Sequence, residues 1–135
     1  MTGLQWENRI VTNVYNSIFE LCPNVVNTSS NDITTFPTVD ISLLSGTDTN
    51  VDLENNDCGA TLTYEVQVYT QGSLRVTQNQ TIMEAVYKAF KRMGFYMNYL
   101  NSVRNVNDAT VFRRVARFKR YIGDGETIEL IQRED

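Results

Sequence analysis

Hydrophobic positions along this chain change period repeatedly, and each change marks a predicted element. Ile10, Val14, Ile18 and Leu21 recur at helical spacing with Val11 and Tyr15 beside them, while Glu7, Asn8, Thr12, Asn16 and Ser17 fall elsewhere on the wheel. The spacing predicts a helix over about 3–21. Thr2 and Gln5 have the form of a capping box at its start, and Pro23 stops further growth. Residues 24–35 are rich in Asn, Ser and Thr, which is loop chemistry. After Pro37, Val39, Ile41 and Leu43 alternate with Asp40 and Ser42, which predicts a half-buried strand over about 38–44. The polar stretch SGTDTNVDLENNDCG follows, longer than a hairpin needs, and reads as a loop that is mobile or used for contacts. A second strand is predicted over about 61–70, with Leu62, Tyr64, Val66 and Val68 on one face and Thr63, Glu65, Gln67 and Tyr69 on the other.

Beyond Thr77 the helical period returns. Ile82, Val86, Phe90 and Met93 form an apolar stripe, which predicts a helix over about 78–93 packed on the Leu62–Val68 face. Thr77 and Gln80 have the capping-box form, Lys88, Lys91 and Arg92 crowd the last turns where the helix dipole favours them, and Gly94 suits the left-handed position after the helix. A short strand fits about 95–100, followed by the loop RNVNDAT. The run VFRRVARFKRYIG fits two periods, because Val111, Val115, Phe118 and Ile122 make a helical stripe while Phe112, Ala116, Phe118 and Ile122 make one face of a strand. Thr127, Ile128, Leu130 and Ile131 fit a last short strand or an extended arm within 123–135.

Composition narrows the chemistry. At 135 residues there is room for a single core, and 41% hydrophobic with 21% charged residues is globular in kind. Histidine is absent, which removes Ser-His and Cys-His nucleophiles, imidazole acid–base catalysis and His-ligated metals. Cys22 and Cys58 are too few and too far apart for a metal cage or a C-x-x-C pair, and read as reduced thiols without a role. No glycine-rich phosphate loop occurs. Asp48, Asn50 and Asp52 begin like a calcium loop, but the sixth and twelfth positions of that template fall on Leu53 and Gly59 instead of Gly and Glu, so the match fails. Asp52 and Glu54 have nothing around them that marks an acid–base pocket. No cofactor, metal or catalytic residue is expected, and the chain reads as no enzyme. The opening residues MTGLQWENRIVTNVYN contain no apolar run for a signal peptide or membrane span, so a cytosolic chain without membrane contact is expected.

The net charge of −4 conceals three blocks. Residues 1–80 carry nine acids against Arg9 and Arg75; residues 81–122 carry Glu84 and Asp108 against nine bases; residues 123–135 carry five acids against Arg133. Such blocks neutralise one another within the fold or offer opposite patches to identical neighbours. Arg113, Arg114, Arg117, Lys119 and Arg120, interleaved with Phe112 and Phe118, make the one segment with nucleic-acid character, set against a low isoelectric point near 4.8.

The order of FPTV at Phe36–Val39, DLE at Asp52–Glu54, MGF at Met93–Phe95 and the pattern R-x-V-A-R-F-x-R over Arg113–Arg120 ahead of Gly123 resembles the tail terminator, or tail-completion, proteins of long-tailed, non-contractile bacteriophages. The resemblance spans nearly the whole chain. It implies an α/β (α+β) single small domain, with a twisted, mostly antiparallel sheet carrying helices on one face in the order α-β-β-α-β-β, and a strand over about 110–122. It further implies a structural virion protein: a homohexameric ring at the head-proximal end of the tail that caps the tail tube, stops its polymerisation and docks the head completion or stopper protein. Such a protein is assembled in the host cytoplasm, and genomic DNA passes through it without specific binding. On this reading Asp48, Asp52, Glu54 and Asp57 of the acidic loop, with Arg113, Arg114, Arg117, Lys119 and Arg120, are expected at a subunit or tail-tube interface. The alternatives are a small nucleic-acid-binding module built on Arg113–Arg120, or a related head–tail connector component.

Overall fold

The computed structural model describes residues 4–26, 35–49, 59–104 and 110–123. Two helices lie on one face of a five-stranded mixed sheet. Helix α1 spans Leu4–Ile18, strand β1 Val25–Val26, β2 Thr38–Thr49, β3 Gly59–Gln71, helix α2 Arg75–Arg92, β4 Tyr96–Arg104 and β5 Val111–Gly123. The strand order is β1-β2-β3-β5-β4. Neighbours from β2 to β4 are antiparallel, and the parallel β1 makes the sheet mixed. The chain leaves β3 through α2, lands on β4 at the edge, and returns as β5 into the gap between them. The expected α+β class is therefore found, with β1 added.

The core forms where the two predicted stripes meet. Ile82, Val86 and Phe90 of α2, Met93 directly after it, and Leu62, Tyr64, Val66 and Val68 of β3 are all fully buried in one cluster, joined by Val39 and Ile41 of β2, Ala116 and Phe118 of β5, and Ile10, Val14 and Ile18 of α1. Phe90 is its centre: its ring stacks on Phe118 at 4.4 Å between centroids, with planes 3° apart, and meets Phe95 edge-on at 5.2 Å.

Several boundaries differ from the pattern-based ones, each for a local reason. Helix α1 ends at Ile18 instead of Leu21, because a turn closes there with the amides of Leu21 and Cys22 both donating to the Ile18 carbonyl. The turn rotates Leu21 outward and puts Cys22 in the core place that Leu21 was expected to fill. The capping-box form at Thr2 lies outside the described residues. Helix α2 begins at Arg75, three residues before the expected start, since Gly72, at φ +107°, reverses the chain directly after β3. Thr77 and Gln80 consequently lie inside the helix, and the N-cap is Leu74 without a side-chain cap. Anchoring comes from below: Thr70 Oγ1 donates to the Arg75 carbonyl at 2.6 Å, and the buried Asn79 Nδ2 donates to the Val68 carbonyl at 2.7 Å. At the other end Gly94 takes the expected left-handed position at φ +87°.

Strand β2 runs on to Thr49, so residues 45–49, expected in the acidic loop, are strand residues paired with 59–63 of β3. A bulge at Leu44 shifts the register and lets polar residues continue the ladder. Strands β3 and β4 extend past the expected 61–70 and 95–100 to Gln71 and Arg104. Strand β1, inside the segment expected as loop, pairs Val25 with Val39. The run from Val111 is a strand, which resolves the two periods in favour of the alternating one.

Candidate functional site

Alternation along β5 divides its bases between two surfaces. Phe118 and Ala116 point into the core under the helices, and Arg114 and Arg120 share that face. Arg113, Arg117 and Lys119 stand on the opposite face, which no described helix covers. The cross-strand register assembles their surroundings: Arg113 lies beside Tyr69 of β3, Arg117 between Glu65 of β3 and Tyr99 of β4, and Lys119 between Thr63 and Tyr96.

On the open face these residues form one connected polar network. Arg117 Nε donates to Glu65 Oε2 at 3.0 Å, and the Arg117 guanidinium lies 4.8 Å from the Tyr99 ring centroid. Gln67 Nε2 donates to Glu65 Oε1 at 3.4 Å. Its Oε1 accepts from Tyr69 Oη at 3.0 Å and from Arg113 Nη1 at 3.2 Å, and the Arg113 guanidinium stands 5.9 Å from the Tyr69 ring centroid. A hydrogen bond together with an aromatic ring beside each guanidinium removes part of the side-chain freedom a flexible surface base would keep. The face is thus a prearranged display of Arg, Tyr, Gln and Glu.

The two bases on the helix side have different tasks. Arg120 Nη1 donates to the Met93 carbonyl at the end of α2. Arg114 lies in a groove between α2 and β4, with its guanidinium 5.2 Å from the Phe112 ring centroid. Strand β4 is the sheet edge, and its Tyr96 and Leu100 are 58% and 49% exposed. Among the described residues no group of three Cys, Asp or Glu side chains is placed to hold a metal ion. No described helix is long and apolar enough to cross a membrane.

Of the acidic residues expected at an interface, Asp48 sits on β2 opposite Ala60, and Asp52, Glu54 and Asp57 lie outside the described residues. The structure therefore does not bring the acidic group and the basic group together among the described residues. Sequence reasoning missed Glu65, Gln67, Tyr69 and Tyr99 as companions of the basic strand. The alternation of TLTYEVQVYT already put the first three on one polar face, and only the pairing of β3 with β5 was needed to bring them to Arg113 and Arg117. Asp40 was also expected on a polar face, yet it is 1% exposed. Cys22 is buried with its thiol donating to the Pro37 carbonyl at 3.4 Å, and burial pushes its pKa up against the opposing backbone hydrogen bonds at Asn24 and Val39.

No protein-family model matches the chain, and no curated protein does. Among solved structures, a chain in the virion of a native gene transfer agent particle has a similar fold, with a TM-score of 0.50 and 14% identity over 87% of this chain and 87% of that one.

Proposed function

We propose that this chain is a structural virion protein without catalysis, which forms a homohexameric ring at the head-proximal end of a phage-type tail. The ring caps the tail tube, stops its polymerisation and presents the docking surface for a head completion or stopper protein, and genomic DNA passes through it without specific binding. The observation that carries this reading is the fold shared, over most of both chains, with a component of a virion particle. The sequence patterns of Phe36–Val39, Met93–Phe95 and Arg113–Arg120 support it independently.

The surfaces support it as well. A head-to-tail ring needs two different patches on every subunit. One is supplied by the open Arg-Tyr-Gln-Glu face, and another by the exposed edge at β4 with its adjoining groove. Complementary charge steers such contacts and resists wrong registers. Two measurements test the proposal. The mass of the purified protein in solution should correspond to six copies, or reach six copies on added tail tubes. Particles produced without the protein should carry overlong tubes unattached to heads. Tails of normal length joined to heads in its absence overturn the proposal.

A further inference from the structure

We propose that the groove between α2 and β4 receives the segment of residues 124–135 from a second copy of this chain, with a tail carboxylate on Arg114 and tail aliphatic side chains on the groove floor. This inference rests on the self-assembly reading above and names the contact that joins the copies.

The groove has a volume of about 250 Å³, and its apolar lining comes from Met83 and Tyr87 of α2 and Met97 and Leu100 of β4, with Glu84 and Arg114 as charged members. Leu100 is on the helix side of the sheet and still 49% exposed, so the helix leaves this part of the apolar face uncovered. Arg114 is distinguished from the other arginines of β5. Arg117 is paired with Glu65, Arg113 with Gln67, and Arg120 with the Met93 carbonyl. Arg114 has the ring of Phe112 beside it, and its buried Nε, like that of Arg113, has no hydrogen-bond partner among the described residues. A buried guanidinium donor without an acceptor is costly, and a carboxylate satisfies it with a charge-assisted and often bidentate hydrogen bond. The occupant this geometry fits has a carboxylate next to apolar side chains.

The groove also borders an open backbone edge. Strand β4 pairs with β5 on one side and with no described strand on the other, so its outward N–H and C=O groups are positioned to take an added extended segment. The chain contains a segment of matching chemistry. Thr127-Ile128-Glu129-Leu130-Ile131 puts one carboxylate among aliphatic residues, within a tail bearing five acids against Arg133. Glu84 sits on α2, across the groove from β5, and favours the register in which Glu129 lies on the Arg114 side.

Direction argues for delivery to a neighbour. Arg114 lies nine residues before Gly123 on β5, which is roughly 30 Å along the strand, and the chain leaves Gly123 heading away from the groove. Twelve further residues reach at most about 40 Å when extended. To reach its own groove the segment must reverse after Gly123, whereas a neighbour's groove in a closed ring can take it without reversal, every copy giving one segment and receiving one.

The test mixes two proteins in a Cys22→Ala, Cys58→Ala background, one carrying Leu100→Cys and the other Leu130→Cys. Under mild oxidation the mixture should give a disulfide-linked dimer well above the level of either protein alone. In the chain with its native cysteines, Glu129→Arg should reduce assembly at least tenfold by sedimentation, and adding Arg114→Glu should restore it. A protein carrying both new cysteines that links only within one chain assigns the segment to its own groove and overturns the inference. Assembled protein that gives no link, or that is indifferent to Glu129→Arg, overturns this inference alone. A chain that remains a monomer at every concentration and on tail tubes overturns both this inference and the ring.

Discussion

Arg120, near the end of β5, lays its guanidinium over Gly94 and hydrogen-bonds the Met93 carbonyl, so the last strand caps the second helix. The helix end itself is closed by the amide of Gly94 donating to the Lys91 carbonyl at 3.0 Å and the amide of Phe95 donating to the Phe90 carbonyl at 3.0 Å. That pair of bonds, with Phe95 packed on Phe90, is the Schellman arrangement. It explains why the core centre and the helix stop are the same place: the residue that ends the helix hands the chain to an aromatic contact in the core.

Gly94→Ala should therefore cost roughly 1–3 kcal/mol in urea unfolding, from the left-handed backbone alone. A Cβ at this position would stand 3.0 Å from Arg120 Nη1, so the guanidinium must also move and loosen its hold on Met93. Arg120→Ala should consequently cost less in the Gly94→Ala background than in the wild type. Additive losses in that double-mutant cycle would show that the two residues act separately.

Phe90→Ala should cost about 3–5 kcal/mol, since a fully buried ring in contact with Phe118, Phe95 and Tyr64 is removed. Phe90→Leu, which keeps much of the volume, should cost less than half as much. An unchanged melting temperature for Phe90→Ala would contradict the placement of this residue.

The fold was legible wherever a stripe had one face to bury. Ile82, Val86, Phe90 and Met93 could match only another apolar face, and Leu62 to Val68 was the longest one available. Elements built by pairing were harder to read: β1 is two valines held by β2, and residues 45–49 become strand because 59–63 lie opposite, with no apolar alternation to announce either. The capping box at Thr77 misled because the same residue types occur inside a helix, where Thr81 Oγ1 merely donates back to the Thr77 carbonyl. For the candidate site, the split of Arg113 and Arg117 from Arg114 and Arg120 follows from period two once the strand is accepted. Which acceptors each arginine meets depends on contacts 27 to 52 residues distant, and no local pattern encodes those.

Cys22 offers a pH-dependent reading of the core. Burial raises its thiol pKa in the folded state, so the folded protein keeps a proton that the unfolded chain releases above roughly pH 8.5. The unfolded state then binds fewer protons, and stability falls as pH rises from that point to the folded-state pKa, by at most about 1.4 kcal/mol per pH unit. Unfolding midpoints measured from pH 7 to 10 should decline more steeply for the wild type than for Cys22→Ala. Parallel declines would place the titration elsewhere.

The open face separates the two leading functions, because Arg117 and Arg113 on it are already engaged by Glu65 and Gln67. The side chains of Arg117 and Glu65 are 42% and 20% exposed, so their ion pair contributes only about 0.2–1 kcal/mol to the fold. Arg117→Glu, which sets two carboxylates across adjacent strands, should leave the monomer folded with a modest loss while sharply weakening ring formation. The exchanged pair Glu65→Arg with Arg117→Glu should recover the fold stability. Duplex DNA meets an unfavourable surface here, since Glu65 interrupts the bases on this face and Arg114 and Arg120 are on the other. Non-specific binders hold DNA at about 10⁻⁴ to 10⁻⁶ M near physiological salt. The wild-type protein should bind duplex more weakly than that range at 0.15 M salt, a concentration in the physiological range of about 0.15 M. Submicromolar binding with a steep salt slope, abolished by Arg117→Glu while six copies stay together, would replace the assembly reading of this face with a nucleic-acid one.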